Sequence, residues 1–295
     1  MNDYLNVGIM INKGNTDMKL KRTLPKDRSF KQIQNHYLVE KALAEKLKKA
    51  NREERKLIYA TMYDELFSKV PDHTRLTRRD SEEQTLASNK TKFSLVKNFI
   101  NKSTVFAEFA PGDCKFAMEV AKQVKHVYAM DISNQFNSAD ILPDNFTMIV
   151  FDGYNIEDIK ENSIDIIFSD QLIEHIHPED TEHHFKLAYN LLKKGGKYIF
   201  RTPQYHSGPH DISGYFSDEP EGFHLKEWTY IEIKQLLRDL NYSRLSSYWY
   251  GKGIRVAMPY LYFETTEKIL DLLPKKHIQT LAKYLIPQIT VVAEK

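Results

Sequence analysis

From residue 30 to about 70 apolar side chains recur at helical spacing: Ile33, Tyr37, Leu38, Ala42 and Leu47, then Leu57, Ile58, Met62, Leu66 and Phe67, with charges filling the gaps. Pro71 ends the second of these helices. Residues 80–91 read as a polar connection and 92–100 as a helix. The period then changes. An alternating run at 104–108 predicts a strand, Phe116, Val120, Ala121 and Val124 predict a helix, and 127–130 predicts a second strand. The alternation continues with strands at 145–151 and 163–168 and a helix at 179–192, ended by Gly195-Gly196. A fifth strand, a helix at 228–240, a strand at 242–250, two helical stretches around Pro274 and a last strand at 286–293 complete the chain. Seven strands interleaved with helices predict an α/β fold: a doubly wound, mostly parallel sheet with an N-terminal helical lobe. The expected division is an arm and helical lid over 1–91 and a sheet domain over 92–295, with a helical insertion at 258–285.

Composition alters this picture little. With 295 residues, 41% apolar and 28% charged, the chain can bury a full core. A net charge of +2 gives no reason to expect nucleic acid or an anionic membrane as partner. A lone cysteine excludes an intramolecular disulfide. The first residues lack a basic region followed by an apolar core, and no apolar run reaches the ~18 residues of a membrane span, so a cytoplasmic protein is expected. Lys19, Lys21, Arg22, Lys26, Arg28 and Lys31 make the start of the chain basic, and a solvated arm is the expectation.

The chemistry concentrates at 105–133, VFAEFAPGDCKFAMEVAKQVKHVYAMDIS. Strand, glycine turn, helix, strand and acid form the opening βαβ unit of a nucleotide-binding sheet. A pyrophosphate would be repelled by Glu108 at the strand end and Asp113 in the turn. Those carboxylates suit a cationic, phosphate-free cofactor such as S-adenosylmethionine, and Asp131 stands where a carboxylate accepts both ribose hydroxyls.

The stretch resembles motif I of the class I S-adenosylmethionine-dependent methyltransferases, E/D-x-G-x-G-x-G, with Glu108, Ala110, Gly112 and Cys114 on its positions and two glycines replaced. Residues 163–180 resemble the family's motif IV, an apolar strand followed by x-x-L-x-E-H-x, and Leu192 to Gly196 its L-K-x-G-G step. The resemblance covers about 58–295. It implies a Rossmann-like sheet whose last strand inserts antiparallel, with S-adenosylmethionine as cofactor. It implies cofactor contacts from Glu108, Ala110, Gly112 and Asp131 with its neighbour Ile132. It also implies them from Asp152, at the adenine amino group, with Gly153, and from Asp170 and Gln171; for Asp152 a loop-capping role is the alternative. Tyr59 and Tyr63, four apart on one helical face, would cover the methionine end; the alternative is that both are core aromatics.

A hydroxyl acceptor needs a base as it loses its proton. Residues 202–228, the long stretch after the fifth strand, hold His206, His210, Asp211, His224 and Glu227 among aromatics. They are similar to the G-P-H-D and G-F-H-L-K-E-W-T patterns of bacterial methyltransferases found with glycan-assembly enzymes. His210 or His224 is the candidate base, with Asp211 or Glu227 orienting an imidazole; a histidine pinning the loop is the alternative. No metal is expected: Glu174 and His175 are adjacent and diverge on any regular element. His183 and His184 are expected on a solvated helix surface. The predicted activity is methylation of a hydroxyl on a small-molecule or glycan acceptor, with a possible homo-oligomer through 258–285. A nucleic-acid or protein methyltransferase is the first alternative, though no N/D-P-P-Y/F motif follows the fourth strand. A non-catalytic cofactor-binding module is the second.

Overall fold

A computed structural model describes residues 18–77, 82–133, 142–251 and 254–295. Helix α1, Phe30–Lys49, starts at a capping box: Ser29 accepts from the Gln32 amide while the Gln32 side chain accepts from that of Ser29. Asn51 and Glu54 start α2, Arg52–Lys69, in the same way. The two helices bury Val39, Leu43 and Leu47 against Ile58, Met62 and Leu66, in a cluster completed by Phe223 and Leu225 from the far half of the chain. A short turn of helix, α3 (Thr74–Thr77), follows, then α4, Glu82–Val96. The helix before the first strand thus begins within the segment read as a polar connection. Its few apolar positions give little amphipathic signal.

The sheet comprises β1 (Val105–Phe109), β2 (His126–Asp131), β3 (Phe146–Val150), β4 (Ile164–Asp170) and β5 (Leu192–Pro203), then β6 (Arg244–Gly251), β7 (Ile254–Met258) and β8 (Gln288–Glu294). Helices α5 (Lys115–Ala121), α6 (Pro178–Leu191), α7 (Tyr230–Asp239), α8 (Tyr260–Asp271) and α9 (Lys275–Leu285) connect them. The order is β3-β2-β1-β4-β5-β8-β6-β7. The first five strands run parallel, and β8 inserts antiparallel between β5 and β6. Apolar clusters cover both faces, as a parallel sheet requires.

Three expectations need correction. Among the described residues the sheet has eight strands: β7 pairs antiparallel with β6 at the edge. Ile254 and Val256 on it are exposed, so it lacks the buried face that a period-two pattern reports. Helix α6 ends at Leu191, ahead of the glycine pair, and Gly195 and Gly196 form an irregularity within β5 between the pairs Ile164–Leu192 and Ile166–Lys197. Finally, the described part of the basic arm is not a solvated tail. Arg28 is buried, 2.7 Å from Asp72 and 2.9 Å from His36 Nδ1, and Arg22 donates to the Pro209 carbonyl. None of the described helices is long and apolar enough to cross a membrane.

Candidate active site

The strand register sets the site. Phe109 pairs with Met130 and with Ser169, and Asp170 pairs with Arg201, so β1, β2 and β4 end within a residue of one another beside β5, which runs on to Pro203. Above these carboxyl ends lies a cavity of 320 Å³. Its floor is the turn after β1, where Ala110 (φ 53°) and Gly112 (φ 59°) take left-handed backbone. A Cβ at Gly112 would meet nothing within 4 Å, so the space over the turn is open to a ligand. Cys114 also has φ 60°, but its thiol is buried toward Met148 and does not line the cavity.

Asp131 lines one side with Ile132, Phe151 and Gly153. It accepts from the Ser133 amide, and burial holds its pKa above the ordinary carboxylate value despite such bonds. Tyr59, Tyr63, Asp170 and Gln171 line the opposite side. Asp170 is gripped by Arg201 through two hydrogen bonds of 2.6 and 2.7 Å. The Tyr59 hydroxyl donates to the His175 carbonyl and accepts from the His177 amide, fixing the turn after β4 beneath α2. Buried Asp180 completes that attachment: it pairs with Arg55 at 2.7 Å and accepts from the Tyr154 hydroxyl. Removing one partner of a buried pair of this kind costs about 3–5 kcal/mol.

Two sequence-predicted contacts lie elsewhere. Glu108 is fully buried and does not line the cavity. Strand alternation turns Phe109 to the cavity side and Glu108, like Phe106, to the face covered by α4 and α5. Lys92 Nζ is 3.5 Å away, and burial pushes the Glu108 pKa up to about 7. Asp152 caps its own loop, accepting from the amides of Tyr154 and Asn155 at 2.8 Å, and pairs with Lys56 of α2 at 3.1 Å. Conversely, His184 is not solvated: it is buried against Phe109, its Nε2 2.7 Å from the Tyr198 hydroxyl, and it lines the cavity.

A second cavity, of 390 Å³, adjoins the first. The two share Tyr63, Arg75 and His175 as a common wall. The arm supplies Arg22 and Arg28, α1 supplies His36 and Glu40, the turn after α2 supplies His73, and the loop after β5 supplies His210, Asp211 and His224. That loop is not structureless. Its ends are joined by a bridge between Gln204 and Trp228, and Tyr205–Ser207 and Ile212–Tyr215 form 3-10 turns.

The loop carboxylates divide the work. Asp211 accepts from the amides of Ser213, Gly222 and His224, so it staples the loop and orients no imidazole. Glu227 accepts from His224 Nδ1–H at 2.7 Å and from the His210 amide. Burial opposes charge on His224, but Glu227, Glu174 and Asp211 outweigh it and its pKa is raised. His210 Nε2 is 2.8 Å from the Ser207 hydroxyl, and burial lowers its pKa.

His175 was not expected here. Its Nδ1–H donates to the Phe223 carbonyl at 2.9 Å, and burial with neighbouring His224 lowers its pKa to about 3. Moreover, a carboxylate oxygen of Glu174 and ring nitrogens of His175 and His224 lie within 4.8 Å of one another, despite the adjacency of the first two. They sit at the end of a 3-10 turn, Ile173–His175, not on a regular helix face. Arg75 was visible in the sequence only as part of Asp72-His73-Thr74-Arg75 beside the lid; its guanidinium lies 5.2 Å over the Tyr63 ring.

Residues 107–200 match a family model described as a methyltransferase domain. No curated protein matches the chain. Among solved structures the chain is similar to a SAM-dependent methyltransferase from Archaeoglobus fulgidus: 15% identity, TM-score 0.50, 71% of this chain and 94% of that one. It is also similar to a Haloferax volcanii complex of the Trm112 methyltransferase activator and a putative methyltransferase (13%, TM-score 0.48, 72% and 94%). A third is Haemonchus contortus phosphoethanolamine N-methyltransferase 1 with phosphoethanolamine and S-adenosylhomocysteine (16%, TM-score 0.47, 63% and 40%). The matched stretch is similar to a methyltransferase domain, the fold is the Rossmann-like α/β fold of an S-adenosylmethionine-dependent methyltransferase, and S-adenosylmethionine is the cofactor. The cavity suits it: open space over Gly112, a carboxylate at Asp131, an apolar slot at Ile132 and Phe151, and no phosphate-binding G-x-G-x-x-G turn.

Proposed function

We propose that the chain methylates a hydroxyl of a small-molecule or carbohydrate acceptor, with the cofactor in the 320 Å³ cavity and the acceptor in the 390 Å³ one. The observation that carries this reading is their common wall of Tyr63, Arg75 and His175. In-line displacement needs donor and acceptor side by side with water excluded, and adjoining cavities under α1, α2 and one loop meet that need.

Asp131 would hold the ribose, with Ile132 and Gly153 at the adenine side. Ala110 and Gly112 would let the cofactor lie close on the backbone, and Asp170 and Gln171 would face its amino-acid part. Tyr59 and Tyr63 would roof it. When bound, the cofactor supplies an electrophilic methyl group on a cationic sulfur. The chain's part is orientation, water exclusion and removal of the acceptor proton. His224 would take that proton at Nε2, because Glu227 holds its Nδ1–H and fixes the tautomer. His210 and Asp211 would act through the loop: the first is held at Ser207, the second at backbone amides. A second copy would dock through 258–285, where Leu261, Ile269 and Leu272 are exposed.

Calorimetry with S-adenosylmethionine, followed by methyl-transfer assays against glycans and small alcohols with product masses measured, tests the proposal. Binding with transfer to at least one hydroxyl compound is expected. Transfer only to amines or macromolecules would overturn the acceptor class.

A further inference from the structure

Glu174, His175 and His224 share an arrangement that proton transfer alone does not require. His175 Nδ1–H is engaged by the Phe223 carbonyl and His224 Nδ1–H by Glu227, so in each neutral ring Nε2 carries the lone pair. Glu174 is 0% exposed; one carboxylate oxygen accepts from the Thr202 hydroxyl, and the other has no hydrogen-bond partner. An orphaned carboxylate oxygen in a buried site is costly unless a cation or donor meets it. Two imidazoles and one carboxylate converging within 4.8 Å, each held by an outer carbonyl, carboxylate or hydroxyl, make a ligand set with its supporting shell.

We infer that these three side chains bind a divalent first-row transition cation in the wall of the acceptor cavity. Imidazole donors favour zinc, iron or their neighbours over magnesium and calcium. Three protein ligands leave coordination positions open, and His175 and His224 both line the acceptor cavity. The open positions would take the acceptor hydroxyl or an adjacent oxygen of the acceptor. This inference rests on the proposed function only for that acceptor. With the cation present, His224 would be a ligand and not the base; the cation would lower the pKa of the bound hydroxyl, whose proton would then pass to a solvent base.

A second group, His36, Glu40 and His73, is as close-set but unsuited. Arg28 donates to His36 Nδ1, so Nε2 of that ring carries its hydrogen toward Glu40, where a cation would need a lone pair. It therefore serves as the control.

The test is titration of the chelator-treated 295-residue chain with CoCl2, read by visible absorption, and with ZnCl2, read by calorimetry. One cation per chain is expected, with a Co2+ spectrum indicating nitrogen donors. Glu174→Gln and His224→Ala should each lose uptake at concentrations that saturate the unaltered chain. Glu227→Gln should weaken it by about 10–100-fold, as outer-shell changes do. His36→Ala and His73→Ala should leave it unchanged. Thermal unfolding without cation identifies any variant that fails to fold, and the Glu227→Gln result then decides. S-adenosylmethionine is titrated on the same chelator-treated protein. Cofactor binding without cation uptake overturns the cation site and leaves the methyltransferase reading standing. Cation uptake without cofactor binding supports the site and overturns that reading. Uptake that survives both Glu174→Gln and His224→Ala also overturns the site.

Discussion

The 320 Å³ cavity is built mainly from one run of chain, residues 109 to 184, and the 390 Å³ cavity from pieces far apart in sequence, residues 22–75, 175 and 210–224. In the first, strand ends and a left-handed turn place backbone and a few carboxylates, so position along β1, β2 and β4 decides most contacts. In the second, side chains from an arm, two helices and a loop meet only after α1, α2, Phe223 and Leu225 have packed together. A cofactor common to many reactions can be served by a rigid sheet edge. Under the proposed function, an acceptor particular to one enzyme would be served by elements that vary more easily. The charges follow the same division: three arginines and five histidines line the 390 Å³ space, with Glu40 and Asp211 as its carboxylates.

The sharpest test of this division is His224→Asn. It should lower kcat by about 10²–10⁴-fold, the range for losing assistance to proton removal, whether His224 acts as base or as cation ligand, while the calorimetric affinity for S-adenosylmethionine stays the same. A parallel loss of cofactor affinity would mean that the two spaces are not functionally separate.

Glu108→Gln comes next. The folded-state pKa of Glu108 is pushed up to about 7 from an ordinary 4.5 by burial. Between those values the folded chain keeps a proton that the unfolded chain has lost, so stability falls as pH rises through the window. The fall amounts to about 3 kcal/mol for this group. Denaturant unfolding at about pH 5 and pH 7.5 should show the variant lacking that part of the decline. An unaltered decline would show that Glu108 is not the buried scaffold residue described here.

The smallest effect separates two aspartates. Asp131→Ala should raise the S-adenosylmethionine Kd by about 10–100-fold, the loss of charge-assisted hydrogen bonds. Asp152→Ala, at a loop cap paired with Lys56, should change it by less than about 3-fold. Equal losses would return Asp152 to the cofactor surface.

The sequence pattern carried much of this fold because the run at 105–131 states its own geometry: an alternating strand, a turn with Gly112, a helix with one apolar face, and a strand ending on Asp131. The same period-two reasoning, applied one residue more strictly, would have turned Glu108 away from the cavity. Edge strand β7 escaped notice because neither of its faces is buried. His175 and Glu174 were legible as part of a motif, but their convergence with His224 depends on a 3-10 turn meeting a loop some fifty residues on. His184 looked like a surface residue because its neighbours on α6 are polar, and only the rings of Phe109 and Tyr198 reveal its surroundings.

Arg22 and Arg28 have a practical meaning. Judged by composition, the first thirty residues are what an engineer trims before crystallisation or replaces with a purification handle. Here Arg22 reaches the Pro209 carbonyl and Arg28 is tied to Asp72 and His36. A shortened chain would keep the 320 Å³ cavity and lose a boundary of the 390 Å³ one. Libraries aimed at the proposed acceptor cavity can therefore begin upstream of the first helix, in a segment that conventional truncation discards.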